Sequence, residues 1–278
     1  VMQESPRFLP DPFVMNGIYA TPPAIDVGAW REYLSREFGP TDVIGDGEPP
    51  VFFAFTEHRF DYKDRSGVPA QAFLAASKDF SDLAKYETAL QQSWDFPDIK
   101  DVLSRGRHFL ATFEFLARTL AFEDRLRLFR ALTSALVELT DPIALYSSAT
   151  DAFFEPRRWL EVQREGYTYY GFFNVRFFRI SNSDDDSLMD TRGLGIFGVP
   201  DLQCHFRGLD PDEVSRLLYN TGVYLMREGD VIEDGHTVPG IQEGSRWHCQ
   251  HEEALIGPER EVLDICPEAP YAAGNRNP

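Results

Sequence analysis

The sequence predicts an α+β fold with mixed or mostly antiparallel sheets and helices packed on one side. Three observations point there. Short apolar and aromatic runs bounded by Gly and Pro read as strands, capped segments with helical spacing read as helices, and strand, helix, strand recurs along the chain. The recurrence leads us to expect two similar α+β halves, residues 1–166 and 167–266, followed by a flexible tail at 267–278. With 278 residues, 43% of them apolar and 14% aromatic, there is ample material for a buried core.

Residues 13–20 read as the first strand. Asp26 is a good N-cap for a helix running to Phe38, and Gly39-Pro40 stops it. The aromatic run 51–55 is a buried strand, and the alternating residues 59–62 are expected to pair with it. Residues 67–75 form another strand, and 80–92 have helical spacing through Leu83, Tyr86 and Leu90 with Asp79 as cap. After the aromatic stretch 108–116, a helix from about Phe122 places Phe122, Leu126, Phe129, Thr133 and Leu136 on one face, and Asp141-Pro142 ends it. A strand at 143–146 and a short helix at 153–165, with Pro156 in its first turn, complete this half.

From Tyr167 the texture changes. Residues 167–180 read as one strand covered on both faces, and its aromatics could equally serve an oligomer interface. The acidic loop 181–187 is the expected hinge. Gly193, Gly195 and Gly198 have G-x-G-x-x-G spacing, but Pro200 follows instead of a helix, so a strand whose glycines admit a close neighbour is the better reading. In Asp210-Pro-Asp-Glu213, Asp210 caps a helix, Pro211 takes its first position and Glu213 completes a capping box; the helix ends near Gly229. A strand with an Asp-Gly turn at 230–235 and strands at 246–255 and 260–266, joined by Gly257-Pro258, close the half.

Lys+Arg 27 against Asp+Glu 45 leaves a net charge of −18. That excess disfavours nucleic acid and anionic membrane surfaces and favours a basic protein partner, although acidity also simply keeps proteins soluble. Cys204, Cys249 and Cys266 are an odd number spread over the C-terminal third, which does not read as a disulfide framework for so large a chain, so a reducing compartment is expected. No run approaches the ~18 apolar residues of a membrane helix, and the first residues do not read as a secretion signal, which together suggest a cytoplasmic protein.

Several residue sets could carry chemistry. Cys204, His205, Cys249 and His251 offer a soft ligand set for zinc, with His248 and Cys266 nearby in sequence; the plainer reading is buried thiols and hydrogen-bonded histidines, with no cofactor. The same residues could form a Cys/His nucleophile pair. His236 with Asp234 could work as an acid or base, or simply sit exposed on an Asp-Gly turn. Asp184, Asp185 and Asp186 mark an acidic surface for a partner, and with Asp190 they could hold a divalent cation, though they lack a ligand-loop pattern.

The block 190–206, with Leu218-Tyr-Asn-Thr-Gly-Val-Tyr-Leu225 and Gly229-Asp-Val-Ile-Glu-Asp-Gly-His-Thr237, resembles the C-terminal signature of a bacterial family known as domain of unknown function four-two-six-one. Residues 89–96 and 108–115 are similar to its N-terminal half. The resemblance implies a bacterial, cytoplasmic α+β protein and carries over no activity and no catalytic residues. The expected function is therefore an acidic protein-binding protein of the immunity or regulatory type, with a Cys/His hydrolase or metal enzyme as the alternative.

Overall fold

Alternating side chains make the first part of the chain into one wide antiparallel sheet. The computed structural model describes residues 9–45, 47–77, 80, 82–167, 169–181, 183 and 185–274. The chain divides into two compact units, one of residues 12–171 and the other of residues from 172 onward together with residues 9–11. Helices and two sheets make it an α+β protein.

In the first unit the strands are β1 (Val14–Tyr19), β2 (Thr41–Ile44), β3 (Val51–Tyr62), β4 (Arg65–Ser77), β5 (His108–Phe115), β6 (Ala144–Ser147) and β7 (Ala152–Phe154). They lie in the order β2-β3-β4-β5-β1-β6-β7. Helix α1 (Val27–Glu37) starts where the Asp26 carboxylate accepts the Ala29 N–H at 3.0 Å. On one face Phe53 stacks on Trp30 of α1, and Phe13 stacks on Phe129 of a later, longer helix, with ring centroids 4.2 Å apart. Burying each such side chain contributes about 1.5–3 kcal/mol. On the other face a 3-10 turn (Leu83–Tyr86), α2 (Glu87–Gln91) and α3 (Ile99–Leu103) cover one end, where Phe80, Phe96, Ile99 and Leu103 pack around Ile18.

The longer helix is α4 (Phe122–Thr140), ended by Asp141 in the left-handed conformation at φ 47°. Helix α5 (Pro156–Arg164) follows, its first N–H groups donating to the Glu155 carboxylate. Two expectations change here. Residues 59–62 do not fold back on 51–55; both belong to β3 and pair with β4 across an irregularity. The helix expected over 80–92 breaks at Tyr86 (φ −115°, ψ 20°), and Asp82 caps its 3-10 turn; Asp79 lies outside the described residues.

The second unit contains β8 (Asn174–Arg179), β9 (Asp186–Arg192), β10 (Asp201–Arg207), α6 (Pro211–Glu228), β11 (Thr237–Pro239), β12 (Arg246–Glu253) and β13 (Glu261–Cys266), in the sheet order β11-β12-β13-β10-β9-β8. β10 and β13 run parallel and the other pairs antiparallel. The strand expected from Tyr167 begins only at Asn174. Gly171, at φ +83° and so close to Trp159 that a Cβ would meet its Nε1 at 2.6 Å, turns the chain first. Asp186 and Ser187 of the acidic segment belong to β9, which pairs with β8 as a hairpin inside this unit, so the segment does not join the two units.

Residues 194–197 form a 3-10 turn framed by Gly193 and Gly198 at positive φ, where a strand was expected. Residues 230–235 precede the edge strand instead of forming one. The tail is docked through Ala273: β13 pairs only with the first half of β10, and Tyr271 and Ala273 take up the backbone of Arg207 and His205 beyond it. Residues 275–278 lie outside the described residues.

A strand, a helix and a three-strand meander returning toward the first strand occur in both units, as β1-α1-β2-β3-β4 and as β10-α6-β11-β12-β13. In the first, β5 is inserted between β4 and β1; in the second, β13 reaches β10 directly.

One buried ion pair crosses the core of the first unit: Arg125 of α4 donates to Glu114 of β5 at 2.5 Å, with both side chains almost fully enclosed. Burial raises the Glu114 carboxyl above the ordinary range, and Arg125 opposes it. Glu114→Gln strands the guanidinium charge and is expected to cost about 3–5 kcal/mol in urea unfolding, whereas Glu114→Leu with Arg125→Met recovers most of it. Equal destabilisation of the single and double variants would contradict this.

Candidate functional site

The four residues expected to hold a metal do not converge. Cys204 and His205 are consecutive on β10 and therefore face opposite sides of the sheet, while Cys249 and His251 share one face of β12. β13 runs between the two strands, which separates the pairs by two strand spacings, about 9–10 Å. A shared zinc needs ligand bonds of about 2.0–2.3 Å to each. Among the described residues no group of three or more His, Cys, Asp or Glu is placed to hold a metal ion. Cys249 is 1% exposed, and burial pushes its thiol up to about 11, with a backbone hydrogen bond at Val238 opposing. Such a thiol stays protonated at neutral pH, a poor ligand and a poor nucleophile.

The histidines find carboxylates that the sequence does not bring near them. Asp234 does not orient His236. It accepts from the His251 backbone N–H at 2.7 Å and sits 2.8 Å from His251 Nδ1, while Asp230 lies 3.3 Å from Nε2. With the ring 2% exposed, His251 pins the segment 230–234 onto β12. His236 is half exposed; its Nδ1 accepts the Glu233 N–H. Of the three aspartates expected to meet a partner, Asp184 lies outside the described residues and Asp185 is exposed. Asp186 is turned inward, with Arg207 at 3.2 Å and His205 at 3.8 Å. Asp190 is spent elsewhere.

The polar centre of this unit is a set of four charges missed from the sequence. Arg176 of β8 grips Asp190 of β9 through two bonds, 2.8 and 2.5 Å, with both side chains at most 2% exposed. Arg260 donates to Asp190 at 2.8 Å and to Asp201 of β10 at 3.1 Å. Thr191 Oγ1 and the Leu194 N–H complete the shell of Asp201. Burial raises the Asp201 carboxyl, and Arg260 opposes it. Further guanidinium bonds go to the carbonyls of Thr191, Ile256, Gly257 and Pro258. Next to this set, Gln203 donates to Glu252 at 2.6 Å and accepts the Leu255 N–H. Two cations balance two anions, and their hydrogen-bonding groups are turned on one another. The arrangement clamps the loop after β12 to the sheet.

Two concavities in the unit adjoin these candidate residues. One, of ≈ 720 Å³, lies beside His205, Glu252, Glu253 and Gly274. The larger, of ≈ 1040 Å³, is an open groove between α6 and β11. The stripe of α6 at Glu213, Arg216/Leu217, Asn220/Thr221 and Tyr224 forms one wall, while Val214, Leu218 and Leu225 of the same helix are buried. Leu217 and Thr221 sit half-buried at the margin of the buried face and line the groove.

Residues 190–266 match the family model described as Domain of unknown function (DUF4261). The matched segment begins at Asp190 of the ionic set, contains the whole groove and ends with β13. No curated protein and no solved structure matches the sequence. Among the described residues no helix is long and apolar enough to cross a membrane.

Two measurements check this picture. Asp190→Asn removes the charge that two arginines share and is expected to cost about 3–5 kcal/mol in denaturant unfolding; a change within about 0.5 kcal/mol would contradict the clamp. For Cys249, the folded value of about 11 lies above the ordinary 9.0. The stabilisation from burying the neutral thiol is therefore complete below about 9 and is lost as pH rises toward 11. Iodoacetamide labelling at Cys249 should be slow at neutral pH and rise about tenfold per unit through that window, with the loss of stability between pH about 9 and 10, below the range of the buried tyrosines, reduced in Cys249→Ala.

Proposed function

We propose that this is a protein-binding protein of the immunity or regulatory type, cytoplasmic and without a catalytic centre of its own, that engages a basic partner through its acidic surface. The observation that carries this reading is the charge: 45 carboxylate residues against 27 lysines and arginines give −18. Such an excess steers a basic protein toward the surface and repels nucleic acid and anionic lipid. The side chains of the second unit best suited to chemistry support it too, because they are turned on one another. Arg176, Arg260, Asp190 and Asp201 form a closed set, and Cys249 is a buried neutral thiol. A hydrolase or metal enzyme built on Cys204, His205, Cys249 and His251 has no comparable support, since these residues lie on separated strands.

The test is co-purification of the tagged protein from cells followed by titration of salt. The recovered partner is expected to have a net positive charge, and its affinity to fall at least about tenfold between about 50 and 500 mM salt. An acidic partner, or an affinity that salt leaves unchanged, would overturn the electrostatic reading.

A further inference from the structure

We propose that the groove between α6 and β11 is a docking site for an extended peptide segment that carries a carboxylate and adds as a further strand to the free edge of β11. β11 is the terminal strand of its sheet. The bonds from Cys249 N–H to His236 O and from Gly240 N–H to Ser245 O show that the backbone of residues 236 and 240 faces β12. Strand alternation then directs the N–H and C=O of Thr237, and the C=O of Pro239, away from the sheet. Consecutive residues 237–241 line the groove, so the strand presents its edge there and not one face. A helix running beside an open strand edge is the arrangement in which a peptide gains main-chain bonds from the edge and side-chain contacts from the helix.

The equivalent place in the other unit is closed. There α1, the helix of the shared motif, packs on β2, the edge strand that follows it. α6 instead packs on β8, β9 and β10, and the groove lies between it and β11.

Charge selects the occupant. In a protein of net −18, the residues lining the groove include two arginines, Arg216 and Arg246, and one glutamate, Glu213. Arg216 donates one guanidinium N–H to the Asp212 carbonyl at 3.3 Å, and the Arg246 backbone N–H donates to the Glu268 carboxylate at 3.2 Å; among the described residues no ion pair joins either guanidinium to a carboxylate. The local sign is opposite to that of the whole protein, so this surface is distinct from the one proposed to meet a basic partner. Pro239 has no N–H, which restricts the added strand to a short register centred on Thr237. The carboxylate is an Asp or Glu side chain or the C-terminus of the peptide.

A display library of random peptides selected on the intact protein tests this. Enriched peptides are made as free acids and as amides, and binding is followed by fluorescence anisotropy. Acidic, β-prone sequences are expected. Amidation abolishes binding if the C-terminus is the source of the carboxylate and leaves it unchanged if a side chain is. Arg216→Glu with Arg246→Glu should weaken binding at least about tenfold, and Thr237→Pro, which removes the outward N–H, should do the same. Hydrogen exchange should slow at Thr237 when peptide is bound. If Thr237→Pro fails to fold, the surface arginine variant and the exchange pattern decide. Enrichment of basic peptides, affinity unchanged by the arginine reversal, protection elsewhere on the chain, or no binding peptide would overturn the proposal. Loss of salt dependence in the partner complex would leave it standing.

Discussion

The second unit depends on the four charges of Arg176, Asp190, Arg260 and Asp201. Taking a carboxylate or guanidinium out of water costs several kcal/mol, and only a partner with good geometry offsets it. Here each acid is met by an arginine, and Arg260 bridges the two aspartates. Because Arg176 stands on β8, Asp190 on β9 and Asp201 on β10, the contacts form only in one register. A slip of one residue would turn Arg176 to the opposite face and leave Asp190 buried with half of its partners. The charges thus specify the strand alignment more than they stabilise it.

That alignment has consequences across the sheet. Gln203, Glu252 and Leu255 continue the polar face and hold the chain after β12, so the carbonyls of residues 256–258 are available to the arginines. The opposite face carries Leu202, Cys204, Leu263 and Ile265, all buried, and suits an apolar helix. The sheet therefore has one ionic and one apolar face, and the groove beside α6 lies along its β11 edge.

Much of the fold was legible because the signals are local. Asp26 and Asp210 cap their helices through the next few N–H groups, Pro156 and Pro211 take first helical positions, and Asp141 ends α4, each within a few residues of the feature it controls. Errors fell where a local pattern had two outcomes. Residues 193–198 mix three glycines with Leu194, Ile196 and Phe197, which suits a strand or a tight turn, and the positive φ of Gly193 and Gly198 settles it as a turn. The candidate site was less legible. Asp234 stands two residues from His236 yet binds His251, seventeen residues away, and Asp190 meets Arg260 across seventy.

By itself the sequence determined the class of fold, the caps and ends of the main helices, the resemblance of residues 190–266 to a family of unknown function, and the acidic balance. These are properties of composition and of neighbours along the chain. Tertiary structure alone decided that β13 separates Cys204 from Cys249, that Asp186 and Asp190 are used internally, and that α6 stands apart from β11. The reason is physical. Which residues meet across a sheet depends on strand order and on the burial of every other strand at once, and no short stretch of chain carries that information.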